Sequence, residues 1–457
     1  MAAKDLWGDS SFDRYCVGFL AAVELLMSFT FLGYIHIPPI SITIVYFPIL
    51  VAGCLFNPVY SVALGVVFGL TSLYKASASY VLPADAVFSP ILSGAPVNSI
   101  LLSIGARALF GLVIGFAFLL AKKRKHRYLW FGVIAAVAPK VHSLLVYTAM
   151  GVLFPELGYS SRSAFHWEMD DLIFSLVCVL AVECLWMIYQ SEMVQNIKLC
   201  VDQSVQNPYS PEKLNLYFAG FEFFIVCTAV FSALYFSQRE SYMLQRHGVA
   251  VSSMISSDLL NLQIQFLIAT LALNAISVIL LVTMYKYMSY KKYRGELDEL
   301  TGVMGRRMFL FQCEKAQKTS GTDQERKGWF LFVDADYFKE INDTFGHAVG
   351  DQVLRSIASN LQAGFGSGGA VGRIGGDEFA VLIDAPMPQR ELEQRLERFL
   401  ETVGKTLPNK KVSCSIGAYQ FVFPRNVTDL LEETDRILYQ AKENGRACYV
   451  VKACAGS

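Results

Sequence analysis

The alternation of apolar and polar positions divides the chain into two unlike parts. Up to about residue 290 it is a series of long apolar runs separated by polar loops; beyond that, shorter apolar runs alternate with charged helical stretches. A transmembrane helix needs about 20 mostly apolar residues. Eight runs fit, at about 15–35, 40–56, 58–74, 99–121, 129–153, 171–191, 215–237 and 264–286. The second and third are short and separated only by Asn57-Pro58. The fifth contains Pro139, Lys140 and His142, which suits a kink or a partly re-entrant segment. In the last part, Trp329-Phe330-Leu331-Phe332-Val333 reads as a buried strand ending in Asp334-Ala335-Asp336. Val371 to Ile383 reads as a β-hairpin turning at Gly375-Gly376, where glycine permits positive φ and a close ligand.

Basic residues orient the spans. Lys122-Lys123-Arg124-Lys125-His126-Arg127 follows the fourth run, and Lys286, Lys291, Lys292 and Arg294 follow the eighth. Positive-inside bias puts both clusters in the cytoplasm, and an even span count with the N-terminus inside satisfies both. Loops at about 75–98, 154–170 and 238–263 then face outward. His166-Trp167-Glu168-Met169-Asp170, ahead of Asp171, suits either an interfacial girdle or a small-molecule pocket. Glu24, Arg107, Glu183 and Glu222 lie inside spans, where ionisable groups face the bundle interior and pair; Arg107 with Glu24 or Glu183 is the expected pair.

Three segments follow: 1–191 with six spans; 192–290 with a polar junction, marked by Asn207-Pro208 and Ser210-Pro211, and two more spans; and 291–457, a soluble-type α/β domain. Composition sharpens this picture. Hydrophobic residues are 54% and charged residues 17%, below the roughly 25% charged of soluble proteins. A net charge of zero gives no case for nucleic-acid binding. Ten cysteines without a CxxC pair argue against a disulfide framework or zinc site. The N-terminus lacks a basic region and a small-residue cleavage site, so no cleaved signal peptide is expected.

The chemistry lies in the last segment. A carboxylate ending a buried strand, followed by a helix start bearing Lys339, suits metal-bound phosphate. Hard Mg²⁺ prefers a few carboxylate oxygens plus phosphate oxygens, and a helix N-terminus adds N–H donors. Asp377 and Glu378 stand beside the hairpin turn, within reach of the same kind of site.

Residues 296–452 resemble the GGDEF diguanylate cyclases. The motifs are Asp334-Ala335-Asp336-Tyr337-Phe338-Lys339-Glu340-Ile341-Asn342-Asp343, Gly346-His347-Ala348-Val349-Gly350-Asp351, Gly375-Gly376-Asp377-Glu378-Phe379, Ser413-Cys414-Ser415-Ile416-Gly417 and Asp435 to Arg446. The resemblance implies a ferredoxin-like, nucleotidyl-cyclase-type core that condenses two GTP into cyclic di-GMP. It implies Mg²⁺ or Mn²⁺ held by Asp334, the Ala335 carbonyl, Asp377 and Glu378, with Asp377, Glu378 and Lys339 catalytic. Asn342 and Asp351 would bond guanine, Phe338 would line the nucleotide site, and Lys442 and Arg446 would reach the triphosphate. Those two basic residues stand at i and i+4 on one helical face. One site holds one GTP, so a homodimer is implied. The family's product-control RxxD is replaced here by Gly366-Ser367-Gly368-Gly369, so no tight product inhibition is expected.

Residues 12–191 resemble the substrate-binding membrane subunit of energy-coupling-factor vitamin transporters, through Ile37 to Gly53 and Phe68-Gly69-Leu70-Thr71-Ser72-Leu73-Tyr74-Lys75. That implies a small-molecule sensor in a bacterial inner membrane, with the last domain cytoplasmic. Its AxxxA docking motif is absent; Gly18 and Ala22 give the nearest spacing. The alternative is a transporter subunit whose GGDEF domain senses GTP without turnover.

Overall fold

The computed structural model describes residues 10–30, 32–37, 40–78, 85–165, 169–204, 212–248, 252–319, 326–407 and 412–453. The expected features at His166-Trp167-Glu168 and at 207–211 lie outside them. The chain divides into Met1–Tyr290 and Lys291–Ser457.

In the first unit α1 (Ser11–Ser28) begins at Ser10, whose hydroxyl accepts from the Asp13 N–H at 3.0 Å, an N-cap. Asp13 in turn accepts from Lys198 at 2.8 Å and Tyr189 at 2.8 Å, tying the start of α1 to later helices. After α1 the chain turns through strands β1 (Tyr34–Ile37) and β2 (Ile40–Thr43), an antiparallel pair. It then enters α2 (Phe47–Leu55) and α3 (Pro58–Ala76). The expected second span at 40–56 is therefore not one helix. β-Branched Ile40, Ile42 and Thr43 favour extended backbone, and Pro48 starts a helix rather than continuing one. Nine residues rise about 13 Å, less than half of a bilayer core. The first span likewise stops at Ser28 instead of 35.

Helices α4 (Pro96–Ile100) and α5 (Ala106–Lys122) are joined through a π-helical turn at Leu101–Gly105 into one rod. α5 packs on α3 through glycines of both helices. A Cβ on Gly69 would lie 2.5 Å from the Ile104 Cα, and one on Gly115 would lie 2.7 Å from the Pro58 Cα. Gly65 and Gly111 leave even less room, against the Arg107 and Ser61 carbonyls. Gly65-x-x-x-Gly69 and Gly111-x-x-x-Gly115 thus let two backbones approach closely, the small-residue packing of membrane helices. Lys122 caps this end by donating to Gly53 O at 3.2 Å and Phe56 O at 2.7 Å.

α6 (Arg127–Leu153) is one continuous helix through Pro139, long and apolar enough to cross a membrane without the helix break that a re-entrant segment needs. It pairs with α7 (Met169–Gln190) through Lys140 and Asp171 at 2.6 Å. α8 (Glu192–Gln203), α9 (Glu212–Arg246) and α10 (Ser253–Gly295) follow, the unit ending within α10 at Tyr290. Arg107 donates to Leu102 O at 3.1 Å and Ser72 Oγ at 3.2 Å, with Phe88 beneath its guanidinium at 4.7 Å. The expected Glu24–Arg107 pair is not formed: Glu24 is fully buried, and neither carboxylate oxygen has a hydrogen-bond partner among the described residues. Six helices among the described residues are long and apolar enough to cross a membrane. Eight were expected; α1 and α2 are the two that fall short.

The second unit begins with β3 (Met304–Gly305) and α11 (Arg306–Thr319), then β4 (Lys327–Ala335). α12 (Phe338–Phe345), α13 (His347–Phe365), β5 (Gly369–Arg373) and β6 (Glu378–Ile383) follow. α14 (Gln389–Val403), β7 (Cys414–Val422), α15 (Val427–Glu443) and β8 (Tyr449–Ala453) close it. The sheet order is β3-β5-β6-β4-β7-β8, with β4 antiparallel to both neighbours. The four inner strands have the expected ferredoxin-like order, and β3 and β8 extend it at the edges. Side chains alternate along a strand. Trp329, Leu331 and Val333 pack with Val353, Ile357 and Leu396 on one face. Phe330 and Phe332 pack with Phe309, Leu430 and Ile437 on the other. Helices therefore cover both faces, which is why β4 reads as a continuous apolar run.

Candidate active site

β4 is the middle strand, so its acidic end is held from two sides. Asp334 stands opposite Glu378 on β6 and opposite Ser415 on β7. The Ala335 N–H donates to the Asp377 carbonyl at 3.2 Å, which fixes the hairpin turn against the strand end. The turn is closed by the N–H groups of Ile374 and Gly375, both donating to Glu378 O, at 2.8 and 3.3 Å. A Cβ on Gly375 would collide with the Glu378 carboxylate. Asp334, Ala335, Asp377 and Glu378 are thereby brought to one rim.

Their electrostatics are strained. Burial pushes Asp334 above the ordinary carboxylate range; Lys442 pulls it back, while Asp377 and Asp336 add to the rise. Glu378 is raised by burial and then by the charges of Asp334 and Asp377. Lys442 answers part of this charge, its Nζ 2.9 Å from Asp334 Oδ2. Among the described residues no three such groups close on one point as a ready-made metal cage. Mg²⁺ uses one or two carboxylates and takes its other ligands from water and phosphate. A rim of mutually repelling hard-oxygen donors fits that mode.

The other expected residues fall into two groups. Asn342 on α12 and Gly350-Asp351 on α13 adjoin: a Cβ on Gly350 would strike Asn342 Oδ1 and lie 3.3 Å from the Phe338 ring. Asn342 and Phe338 thus meet Gly350, the residue before Asp351, where α12 meets α13. The expected shared helical face of Lys442 and Arg446 is not formed: α15 ends at Glu443, and Arg446, at a φ of 64°, lies past it with its guanidinium 4.9 Å from the centre of the Tyr337 ring. Lys339 is exposed on the first turn of α12 and makes no hydrogen bond or ion pair among the described residues.

Residues 296–448 match the family described as diguanylate cyclase, GGDEF domain. The second unit holds a GGDEF domain. Residues 16–191 match the family described as ECF transporter, substrate-specific component. The chain is similar to Diguanylate cyclase DgcS of Shewanella oneidensis, 28% identical over 216 residues, 45% of this chain and 72% of that protein. It is similar to Probable diguanylate cyclase DgcI of Escherichia coli, 36% identical over 160 residues, 35% of this chain and 34% of that protein. It therefore spans most of the first but about a third of the second. Among solved structures it is similar to the coiled coil and GGDEF domain of DgcB from Caulobacter crescentus. There the identity is 22%, over 38% of this chain and 95% of that one, with a TM-score of 0.35.

Some residues of the GGDEF domain's site escaped the sequence analysis. Asp298 carried no role in the reading of the sequence. It accepts from the Thr301 N–H at 2.9 Å and the Thr301 hydroxyl at 2.6 Å, and it pairs with Arg373. Asp336, Ser415 and Tyr337 had carried no role of their own. They stand in motifs, but their partners lie far along the chain, and no local pattern names those partners.

Proposed function

We propose that the chain is a membrane-bound diguanylate cyclase that condenses two GTP into cyclic di-GMP and releases two pyrophosphates. The observation that carries this reading is the rim of Asp334, Asp377 and Glu378 with Lys442 on Asp334, within a GGDEF domain. Asp334, Asp377, Glu378 and the Ala335 carbonyl would hold Mg²⁺ or Mn²⁺. When bound, such a metal neutralises charge that develops on the attacking and leaving oxygens.

The chain's own residues have these parts. Asn342 and Asp351 bond the guanine edge, and Phe338 lines that pocket. Lys442 and Arg446 hold the triphosphate, and Lys339 offsets charge on the transferring phosphate. A carboxylate of the rim, Asp377 or Glu378, accepts the proton of the 3′-hydroxyl as it attacks the α-phosphorus. Each domain presents one GTP, so two chains must face each other, and a homodimer is part of the reaction. Positive-inside bias of Lys122–Arg127 and of 286–294 supports a cytoplasmic GGDEF domain, attached to a bacterial inner membrane in this reading. The first unit would act as a small-molecule sensor, shifting cyclase activity by binding one arrangement of the dimer better than another.

The test uses the full chain in detergent or proteoliposomes, with GTP and Mg²⁺, following pyrophosphate and cyclic di-GMP. Turnover whose rate per chain rises with protein concentration is expected, and Asp377→Ala removes it. Absence of turnover at every concentration would overturn the reading.

A further inference from the structure

Asp336 is the carboxylate of Asp334-Ala335-Asp336 that the proposed reaction leaves unused. It is 3% exposed. Its N–H donates to Ser413 O at 2.9 Å. Its Oδ1 accepts from the Ser415 hydroxyl at 2.6 Å, and its Oδ2 accepts from the Ala447 N–H at 3.0 Å. Both oxygens are committed to protein donors, one on β7 and one on the segment after α15.

That segment is strained. Arg446 and Ala447 hold φ of 64° and 53°, directly after Gly445 at 106°. Tyr337, next to Asp336, holds 54°. These three are all the non-glycine residues with positive φ among the described residues, and they meet in one corner. Arg446 Nη1 lies 3.5 Å from the Tyr337 hydroxyl, and its guanidinium lies over the Tyr337 ring. Left-handed backbone at ordinary residues persists only where its surroundings hold it, and such strain gathers at functional sites. Among the described residues, the one buried charged group bonded to this strained segment is Asp336.

We propose that Asp336, braced by Ser415, is a positioning residue for nucleotide phosphates and not a metal ligand. It pins the segment after α15 so that Lys442, on Asp334, and Arg446, over Tyr337, are held in place for the same phosphates. The inference rests on the cyclase reading of the site. Asparagine can make the same two bonds, its carbonyl accepting from Ala447 N–H and its amide donating to the Ser415 oxygen. It cannot replace a carboxylate on a metal equally well. Geometry and charge are therefore separable here.

The experiment measures binding of 3′-deoxy-GTP, which lacks the attacking hydroxyl, and of GMP to the full chain in detergent, with Mg²⁺ or with EDTA. Asp336→Ala should weaken 3′-deoxy-GTP roughly tenfold to a hundredfold, the range of a lost hydrogen bond to a charged group. GMP binding should change far less, and the 3′-deoxy-GTP loss should persist in EDTA. Asp336→Asn should restore binding close to the unaltered chain. Ser415→Ala, a milder change in case Asp336→Ala does not fold, should weaken 3′-deoxy-GTP severalfold with its thermal midpoint nearly unmoved. The inference is overturned if Asp336→Asn is as damaging as Asp336→Ala with the loss confined to Mg²⁺. It is equally overturned if both ligands weaken alike, or if Ser415→Ala binds as the unaltered chain does. Failure of the unaltered chain to bind 3′-deoxy-GTP would instead remove the cyclase reading beneath it.

Discussion

Arg373 on β5 reaches both carboxylate oxygens of Asp298, with Nη1 at 3.0 and 3.1 Å, and grips the Gly376 carbonyl with its Nε and Nη2. One side chain thus ties the turn that enters the GGDEF domain to the turn that sets Asp377. Arg373→Ala is expected to cost about 1–3 kcal/mol of stability and to lower turnover more than that loss explains. Arg373→Lys should fall between, because an ammonium cannot hold both partners. Thermal unfolding and pyrophosphate release, measured on the same preparations, check this. Unchanged turnover in Arg373→Ala would refute the link.

The same pair makes stability depend on acid. Burial pushes Asp298 up, but the Thr301 hydroxyl, Arg373 and the Thr301 N–H together bring it below its ordinary value of 3.8. A depressed folded value means stability that is present above the ordinary value and lost as pH falls through the depressed one. Asp298→Asn lacks this contribution. Its thermal midpoint should therefore fall less than that of the unaltered chain between about pH 5 and about pH 3. Parallel curves for the two proteins would count against the assignment.

Glu378 behaves oppositely. Burial, then Asp334 and Asp377, raises it, so its ionised form costs stability once pH has risen through the folded value. Glu378→Gln is expected to raise the thermal midpoint in EDTA while abolishing turnover. It should also shrink the upward shift that Mg²⁺ produces in the unaltered chain. A lower midpoint in EDTA would show that the rim is not electrostatically strained.

Helix contact between α3 and α5 gives a prediction for the membrane unit. Gly111→Val would drive a side chain into the Ser61 carbonyl, backbone that cannot turn aside. A loss of at least about 1–3 kcal/mol is expected, the usual cost of overpacking. Gly105→Ala, where nothing lies within 4 Å of a Cβ, is the control and should be nearly neutral. Heat inactivation of the full chain compares the two.

Product control is the last case. Where RxxD would stand, Gly366 lies against Gln362, and a Cβ on Gly369 would collide with the Leu382 carbonyl. The backbone there has no room for an added aspartate without shifting. Cyclic di-GMP titrated into the reaction should not inhibit in the low-micromolar range, and Gly369→Asp should not create inhibition. Tight inhibition abolished by changes at 366–369 would prove this wrong.

What could be read along the chain was what depends on near neighbours. The apolar run Trp329–Val333 is buried on both faces and so shows as a run, and the Gly375-Gly376 turn carries its own conformational requirement. The acids of the rim stand at ends of elements that local pattern marks. The second span was misread because Ile40–Thr43 is apolar enough for a helix, and hydropathy does not distinguish a β-branched strand from a span. The close approach of α3 and α5 has no mark in hydropathy: Gly65 and Gly69 face Arg107 and Ile104, and Gly111 and Gly115 face Ser61 and Pro58, contacts that only packing decides. Asp336 joins residues 79 and 111 positions away, and Asp298 meets Arg373 across 75. A carboxylate's oxygens can be satisfied by any donor that folding brings near, so local pattern does not name the partner. Composition and period determined the two parts of the chain and the place of its acids; tertiary structure alone decided which charges face one another and which residues hold the strained corner in place.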